Sequence, residues 1–374
     1  MFSVIKSRRN WAFGAVLVFA AAPASAQTGY NQVNLVSDIP GLARVTDPSL
    51  QNPWGMASSA TSPWWVSDNG TDLSTLYNGN TGAKSALVVS IPAQAPTGLV
   101  FNNTANFLLA NNVKASFIFS TETGSIAAWN GGSGTIAATM QSVPGAVYKG
   151  LAIGTANSAS FLYATDFVQG KVQVFNSTFG ATSLSGNFTD PNLPSGYAPF
   201  GIKNLGGKIY VTYAQQSGIP GDIDEVHGAG LGVVDVFDTS GNFLDRVASG
   251  GTLDAPWGLA LAPSNFGAFS NDLLVGNFGD GTINAFDPTS FAFEGQLLDV
   301  NGNPISIDGL WDLNFGNGAN AGLKNSLYFS AGLNDEADGL VGFLHVPEPF
   351  TLSVFGIGLA GMAVVRRRRK SGKD

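Results

Sequence analysis

The sequence predicts an all-β fold: a six-bladed β-propeller with four-stranded blades. Three observations lead there: a composition poor in charge and rich in glycine, a motif that recurs six times, and β-rich segments in the same order after each recurrence. Of 374 residues, 48 are Gly, 44% are hydrophobic and only 12% are charged. Long charged helices and coiled coils need Ala, Glu, Lys and Leu. Short strands joined by Gly-rich turns fit this composition.

The recurrence is read from the N-terminal side. Pro53-Trp54-Gly55-Met56-Ala57 returns as Pro96-Thr97-Gly98-Leu99-Val100 and as Tyr148-Lys149-Gly150-Leu151-Ala152. It returns again as Pro199-Phe200-Gly201-Ile202, Pro256-Trp257-Gly258-Leu259-Ala260 and Ile307-Asp308-Gly309-Leu310-Trp311. The glycines are 43, 52, 51, 57 and 51 residues apart, a period proper to a propeller blade. These segments are expected to be innermost strands, where a side chain would crowd the neighbouring blade. A second β-rich segment follows each, such as Trp64-Trp65-Val66-Ser67-Asp68 or Leu162-Tyr163-Ala164-Thr165-Asp166. A third ends in an aromatic: Tyr77, Trp129, Phe175, Phe237, Phe286 and Phe343. These aromatics are expected to fill the wedges between blades. A weaker fourth strand leads to the next glycine. The last repeat stops after its third strand, Leu340 to Leu344, while Gln32-Val33-Asn34-Leu35-Val36 precedes the first. The N-terminal strand is therefore expected to complete the last blade and remove the open sheet edge.

Both ends read as addresses. Residues 1–26 have the form of a secretory signal peptide: Lys6, Arg8 and Arg9, then the apolar run from Trp11 to Ala22, then Ala24-Ser25-Ala26 before Gln27. The match of Ser7-Arg8-Arg9-Asn10-Trp11 to a twin-arginine signal is loose. The propeller is expected over 27–346, and the tail over 347–374. In that tail Pro347-Glu348-Pro349 precedes an uncharged run over 350–365 and then Arg366-Arg367-Arg368-Arg369-Lys370. Sixteen residues as a helix span roughly 24 Å, near the thickness of a hydrocarbon core. The basic cluster would remain on the cytoplasmic side. This tail resembles the PEP-CTERM sorting signal of Gram-negative bacteria. The resemblance implies recognition by an exosortase-type membrane protease, cleavage near Pro347-Glu348-Pro349, and release to the cell surface or an exopolysaccharide matrix. A plain C-terminal membrane anchor is the alternative.

The ends hold nine of the 18 basic residues, so residues 27–347 keep nine basic against 24 acidic, a charge near −15. That repels phosphate backbones and argues against nucleic-acid partners. There is no Cys and there are two His, at 227 and 345, so neither a thiolate site nor a three-histidine zinc site is available within one chain. The body resembles NHL-type propellers, and specifically a family of bacterial proteins that often carry PEP-CTERM tails. The resemblance rests on Asp224-Glu225-Val226-His227-Gly228, Val234-Asp235-Val236-Phe237-Asp238, Pro256-Trp257-Gly258-Leu259-Ala260 and Leu274-Val275-Gly276-Asn277-Phe278-Gly279-Asp280-Gly281. It implies fold and destination, and carries no catalytic residues.

Three sets of residues are candidates for chemistry. The insertion over 214–232 holds Asp222, Asp224, Glu225 and His227 among five glycines. It either wraps a hard cation such as Ca²⁺ at a channel mouth or is a solvated acidic loop. The aromatics Trp54, Phe200, Trp257 and Trp311 recur beside the repeat glycines. They either stack on sugar faces of a ligand or pack between blades. Asp68, Glu122, Asp166 and Asn277 end second strands, where they line a polar site or hold turns. No G-x-S-x-G, H-E-x-x-H or P-loop occurs. The expected function is that of an exported binding or structural protein of the cell surface or matrix, with exopolysaccharide or surface proteins as partners. The alternative is a metal-dependent hydrolase or lactonase-like enzyme working in the channel.

Overall fold

A computed structural model describes residues 29–347. The signal peptide expected over 1–26 lies outside them. So do the uncharged run over 350–365 and Glu348, Pro349, Arg366, Arg367, Arg368 and Arg369.

Six sheets, antiparallel within their four-stranded blades, form the expected six blades. Two strands precede the first blade, β1 (Asn31–Ser37) and β2 (Val45–Thr46). Blade 1 is β3 (Pro53–Ala57), β4 (Trp64–Asp68), β5 (Leu73–Tyr77) and β6 (Val89–Ser90). Blade 2 is β7 (Pro96–Phe101), β8 (Phe117–Thr121), β9 (Ser125–Trp129) and β10 (Ala138–Ser142). Blade 3 is β11 (Tyr148–Ala156), β12 (Ala159–Asp166), β13 (Lys171–Phe175) and β14 (Ala181–Thr182). Blade 4 is β15 (Tyr197–Leu205), β16 (Lys208–Gln216), β18 (Val233–Phe237) and β19 (Phe243–Ser249), with the short β17 (Glu225–Val226) added to β16. Blade 5 is β20 (Pro256–Leu261), β21 (Leu273–Asn277), β22 (Ile283–Phe286) and β23 (Phe293–Gln296). Blade 6 is β24 (Leu310–Phe315), β25 (Ser326–Gly332) and β26 (Asp338–His345), completed by β1. β1 pairs antiparallel with β26, from Asn31 opposite His345 to Ser37 opposite Leu340. The first strand among the described residues thus closes the ring, as the sequence pattern implies.

Each blade buries both faces against its neighbours, so strands such as β3, β4, β8 and β9 are buried throughout. Six apolar cores fill the wedges. One joins blades 1 and 2 through Trp65, Phe117, Phe119 and Trp129, and another joins blades 6 and 1 through Val36, Tyr328, Trp64 and Tyr77. The third-strand aromatics sit in these wedges as expected.

The close approach of inner strands explains the repeat glycine. A Cβ on Gly55 would stand 2.7 Å from the carbonyl oxygen of Thr97, and one on Gly258 would stand 2.5 Å from that of Trp311. These glycines therefore meet the residue just before the matching position of the next blade. By that rule the sixth position is Asp312, not Gly309. The strand register agrees: Leu310-Trp311-Asp312-Leu313 lies as Pro53-Trp54-Gly55-Met56 does, with Leu313 opposite Phe329 and Met56 opposite Val66. Gly309 lies before β24 with a positive φ of 59°. Aligning the sixth repeat on Gly309 is thus three residues out of step. The slot holds a carboxylate because its neighbour is the seam with blade 1. There Asp312 Oδ2 accepts a hydrogen bond of 2.8 Å from the Met56 backbone N–H.

Candidate functional site

The channel along the propeller axis has two distinct ends. Inner strands start, and second strands end, at one of them. Trp54, Phe200, Trp257 and Trp311 gather just inside that end and pack on Phe167 and Phe278 as a seventh apolar core. The rings of Trp54 and Trp311 stack with centroids 3.5 Å apart, Phe278 stacks on Trp311 at 4.2 Å, and Trp257 meets Trp311 edge-on at 5.8 Å. None of the four sequence-singled aromatics is more than 6% exposed. They present edges and faces to each other and close the channel. Trp311→Ala removes the ring shared by these contacts. It is expected to cost about 3–5 kcal/mol, measured by chemical denaturation.

Over this plug sits a group that the sequence did not single out. The side chain of Lys149 is 1% exposed, and its Nζ lies 5.1 Å from the centroid of the Trp54 ring. The ammonium donates to Glu122 Oε1 at 2.7 Å and lies 3.4 Å from Asp224 Oδ1. Asn69 Nδ2 donates to the other oxygen of Glu122 at 3.0 Å. Asn52 Nδ2 donates to Glu336 Oε2 at 2.6 Å, while Asn52 Oδ1 accepts from the Trp311 indole at 3.1 Å. Acids and amides from blades 1, 2, 4 and 6 thus converge on one mouth, with a lysine in their midst. Burial alone pulls the Lys149 ammonium down, but Glu122, Glu225 and Asp224 outweigh it and hold the pKa above the usual lysine range. Burial pushes the Glu225 carboxyl up to about 7 against the pull of Lys149, and raises that of Glu336 as well.

The insertion over 214–232 lies across this mouth. Asp224 reaches Lys149, Gly228 donates its N–H to Asp254 Oδ1 at 2.6 Å, and the His227 ring stands edge-on 6.4 Å from Phe278. Asp222 turns to its own loop, accepting the Asp224 N–H at 3.2 Å. Asp224 and Glu225 thus face Lys149, while Asp222 turns to its own loop and His227 to Phe278. Among the described residues, no group of three or more His, Asp or Glu is arranged to hold a metal. Asp68, Asp166 and Asn277 are buried at the ends of β4, β12 and β21, where Asp68 accepts the Thr75 N–H and Asp166 the Gln169 N–H. Of that set only Glu122 faces the mouth. The raised Glu225 carboxyl gives a signed pH effect. Its neutral form is favoured in the folded state, so its contribution is full below the ordinary glutamate value of 4.5 and is lost as pH rises towards 7. Glu225→Gln should therefore match the parent near pH 5 and melt higher than it at pH 8, read by thermal scans.

The opposite end of the channel opens into a cavity of about 700 Å³, lined by all six inner strands. Its floor carries a second ion pair. Lys203 of blade 4 reaches past blade 5 to Asp312, with Nζ to Oδ1 at 2.8 Å, and also donates to the Leu313 carbonyl at 2.6 Å. The sequence signal for both lysines lay in position: each is a rare cation beside a repeat core slot, Lys149 just before Gly150 and Lys203 two residues after Gly201.

Comparison with known proteins bears on the tail, the fold and the family. The PEP-CTERM protein-sorting motif is matched over residues 345–369, and it implies export and membrane-anchored sorting. Among solved structures, a streptogramin B lyase is 13% identical with a TM-score of 0.51, covering 86% of this chain and 100% of that one. The PQQ-bound aldose sugar dehydrogenase of Streptomyces coelicolor is 15% identical with a TM-score of 0.51, covering 87% and 100%. At such identity the likeness is one of fold alone. Among the described residues no helix is long and apolar enough to cross a membrane. A protein of Acanthamoeba polyphaga mimivirus, "Uncharacterized protein R648", is 33% identical over 343 residues, 87% of this chain and 82% of that one. The chain therefore belongs to the same family as that mimivirus protein, with a PEP-CTERM sorting motif at its C-terminal end.

Proposed function

We propose that the protein is an exported, non-catalytic binding or structural propeller of the cell surface or extracellular matrix. In this reading residues 1–26 direct export and are removed before Gln27. The run over 350–365 holds the chain in the membrane until an exosortase-type protease cuts near Pro347-Glu348-Pro349. The repeats are of the NHL type, and the partners are exopolysaccharide or surface proteins. One observation carries the reading: the mouth where acids and amides converge is plugged by aromatic rings, and its central position is taken by the protein's own ammonium, Lys149. A body charge near −15 also suits a protein kept soluble outside the cell.

The competing reading is a metal-dependent hydrolase or lactonase-like enzyme, with Ca²⁺ as the natural ion for an oxygen-rich set. The convergence of Glu122, Glu336, Asn52 and Asn69 is the observation in its favour. Metal content and thermal melting of the purified chain, with and without EDTA, separate the two. The expected result is less than stoichiometric metal and an EDTA-insensitive melt. A stoichiometric divalent ion whose removal lowers the melt would favour the enzyme.

A further inference from the structure

We infer that the axial cavity at the Lys203 end is a binding site for an uncharged polyhydroxylated ligand, the terminal sugars of a neutral glycan. This rests on the binding reading above and gives it a place and a ligand class. The volume of about 700 Å³ lies within the usual range for small-ligand sites. The cavity is closed at its floor, so a chain end enters and a continuous strand does not pass through.

Charge selects the ligand class. Lys203 and Asp312 are the ionisable side chains of the lining, and they neutralise each other. Asp312 has no capacity to spare: Oδ1 accepts from Lys203 and the Leu313 N–H, and Oδ2 accepts from the Met56 N–H and Asn314 Nδ2. A carboxylate offers about four acceptor positions, and all are used. A cationic ligand therefore finds no free carboxylate. An anionic one must compete for an ammonium already given to Asp312 and a carbonyl, inside a body charged near −15.

What remains uncommitted is neutral and polar. Among the described residues, the side chains of Ser58, Asn103, Thr155 and Thr239 line the cavity without a hydrogen-bond partner. Deeper in, Leu99, Leu151 and Trp257 supply apolar wall. A sugar ring presents hydroxyl groups at its edge and C–H faces above and below. It is complementary to such a lining, where each fixed polar group adds selectivity against ligands that leave it unpaired.

The test is isothermal titration calorimetry of the purified full chain. The probes are three neutral trisaccharides (maltotriose, cellotriose and mannotriose), an acidic one (trigalacturonate) and a cationic one (chitosan trimer). At least one neutral probe should bind roughly tenfold tighter than either charged one. Thr155→Trp, which fills the exposed rim, should weaken that binding at least about tenfold with an unchanged melt. Asn103→Ala should weaken it by a smaller factor. Preference for a charged probe, or no binding of any neutral probe, overturns the inference. So does binding that survives Thr155→Trp, although sugar uptake elsewhere would leave the surface-binding reading intact. Cleavage of a bound probe, seen by mass spectrometry, would instead overturn the non-catalytic reading and leave the cavity assignment standing.

Discussion

A chain lacking residues 27–40 is expected to show no cooperative melt as a monomer. Those residues include β1, the fourth strand of blade 6, whose ladder to β26 runs from Asn31 to Ser37. Tyr30, Leu35 and Val36 are all buried, at 2%, 1% and 0% exposure. Burial of three such side chains is worth about 1.5–3 kcal/mol each, against a total stability of about 5–15 kcal/mol for a typical domain. The loss extends beyond those three. Val36 belongs to the core that joins blade 6 to blade 1, and Tyr30 to the core between blades 5 and 6. The hydroxyl of Tyr30 donates across the wedge to the Phe266 carbonyl at 2.8 Å, and Ser37 donates to that of Gly339 at 2.7 Å. Removing the strand also leaves β26 as an unpaired edge, a template for association. Circular dichroism melts and size-exclusion chromatography read both effects. Adding back a peptide of residues 29–40 should restore folded monomer. An unchanged melt would refute the closure argument.

The second large effect is expected from Lys149→Met. The replacement fills a similar volume but leaves Glu122, Glu225 and Glu336 facing one another without a cation. Removing one partner of a buried charge set typically costs about 3–5 kcal/mol, because the remaining charges stay desolvated. The cost should shrink at pH 5, where Glu225, with its pKa near 7, is already neutral. Denaturant unfolding at pH 5 and pH 8 measures both numbers. A pH-independent loss below about 1 kcal/mol would mean that water screens the cluster as it does surface ion pairs.

The parts of the fold that were legible in the sequence were those with a single steric cause. Trp257-Gly258 and Phe200-Gly201 declare themselves because a Cβ there meets the next blade's backbone. β1 declared itself because the last repeat was one strand short. The sixth register did not, since Asp312 occupies a slot that elsewhere holds glycine, and Gly309 three residues earlier imitates the motif. That substitution makes sense only once Met56 of blade 1 is known to face it. The mouth was half legible. A long acidic loop in one blade suggested a cover, and it lies over the channel end. Its ligand is a lysine 75 residues away in sequence, which no local pattern reveals. The aromatics beside the glycines were visible as a set. Their mutual stacking depends on six strands converging on one axis, a property of the closed ring and not of any repeat.

The pairing of β1 with β26 also sets an order of events during synthesis. Ser37 and Gly339, joined by a hydrogen bond, are 302 residues apart. At about 5–20 residues per second, β1 emerges on the order of tens of seconds before its partner. Blades 1 to 5 can each form from contiguous chain in that interval, but the ring stays open and the sixth blade incomplete. β26 ends at His345, the residue where the sorting motif begins. Ring closure and delivery of the tail are thus consecutive moments: a chain that stops before β26 carries neither the partner of β1 nor the tail.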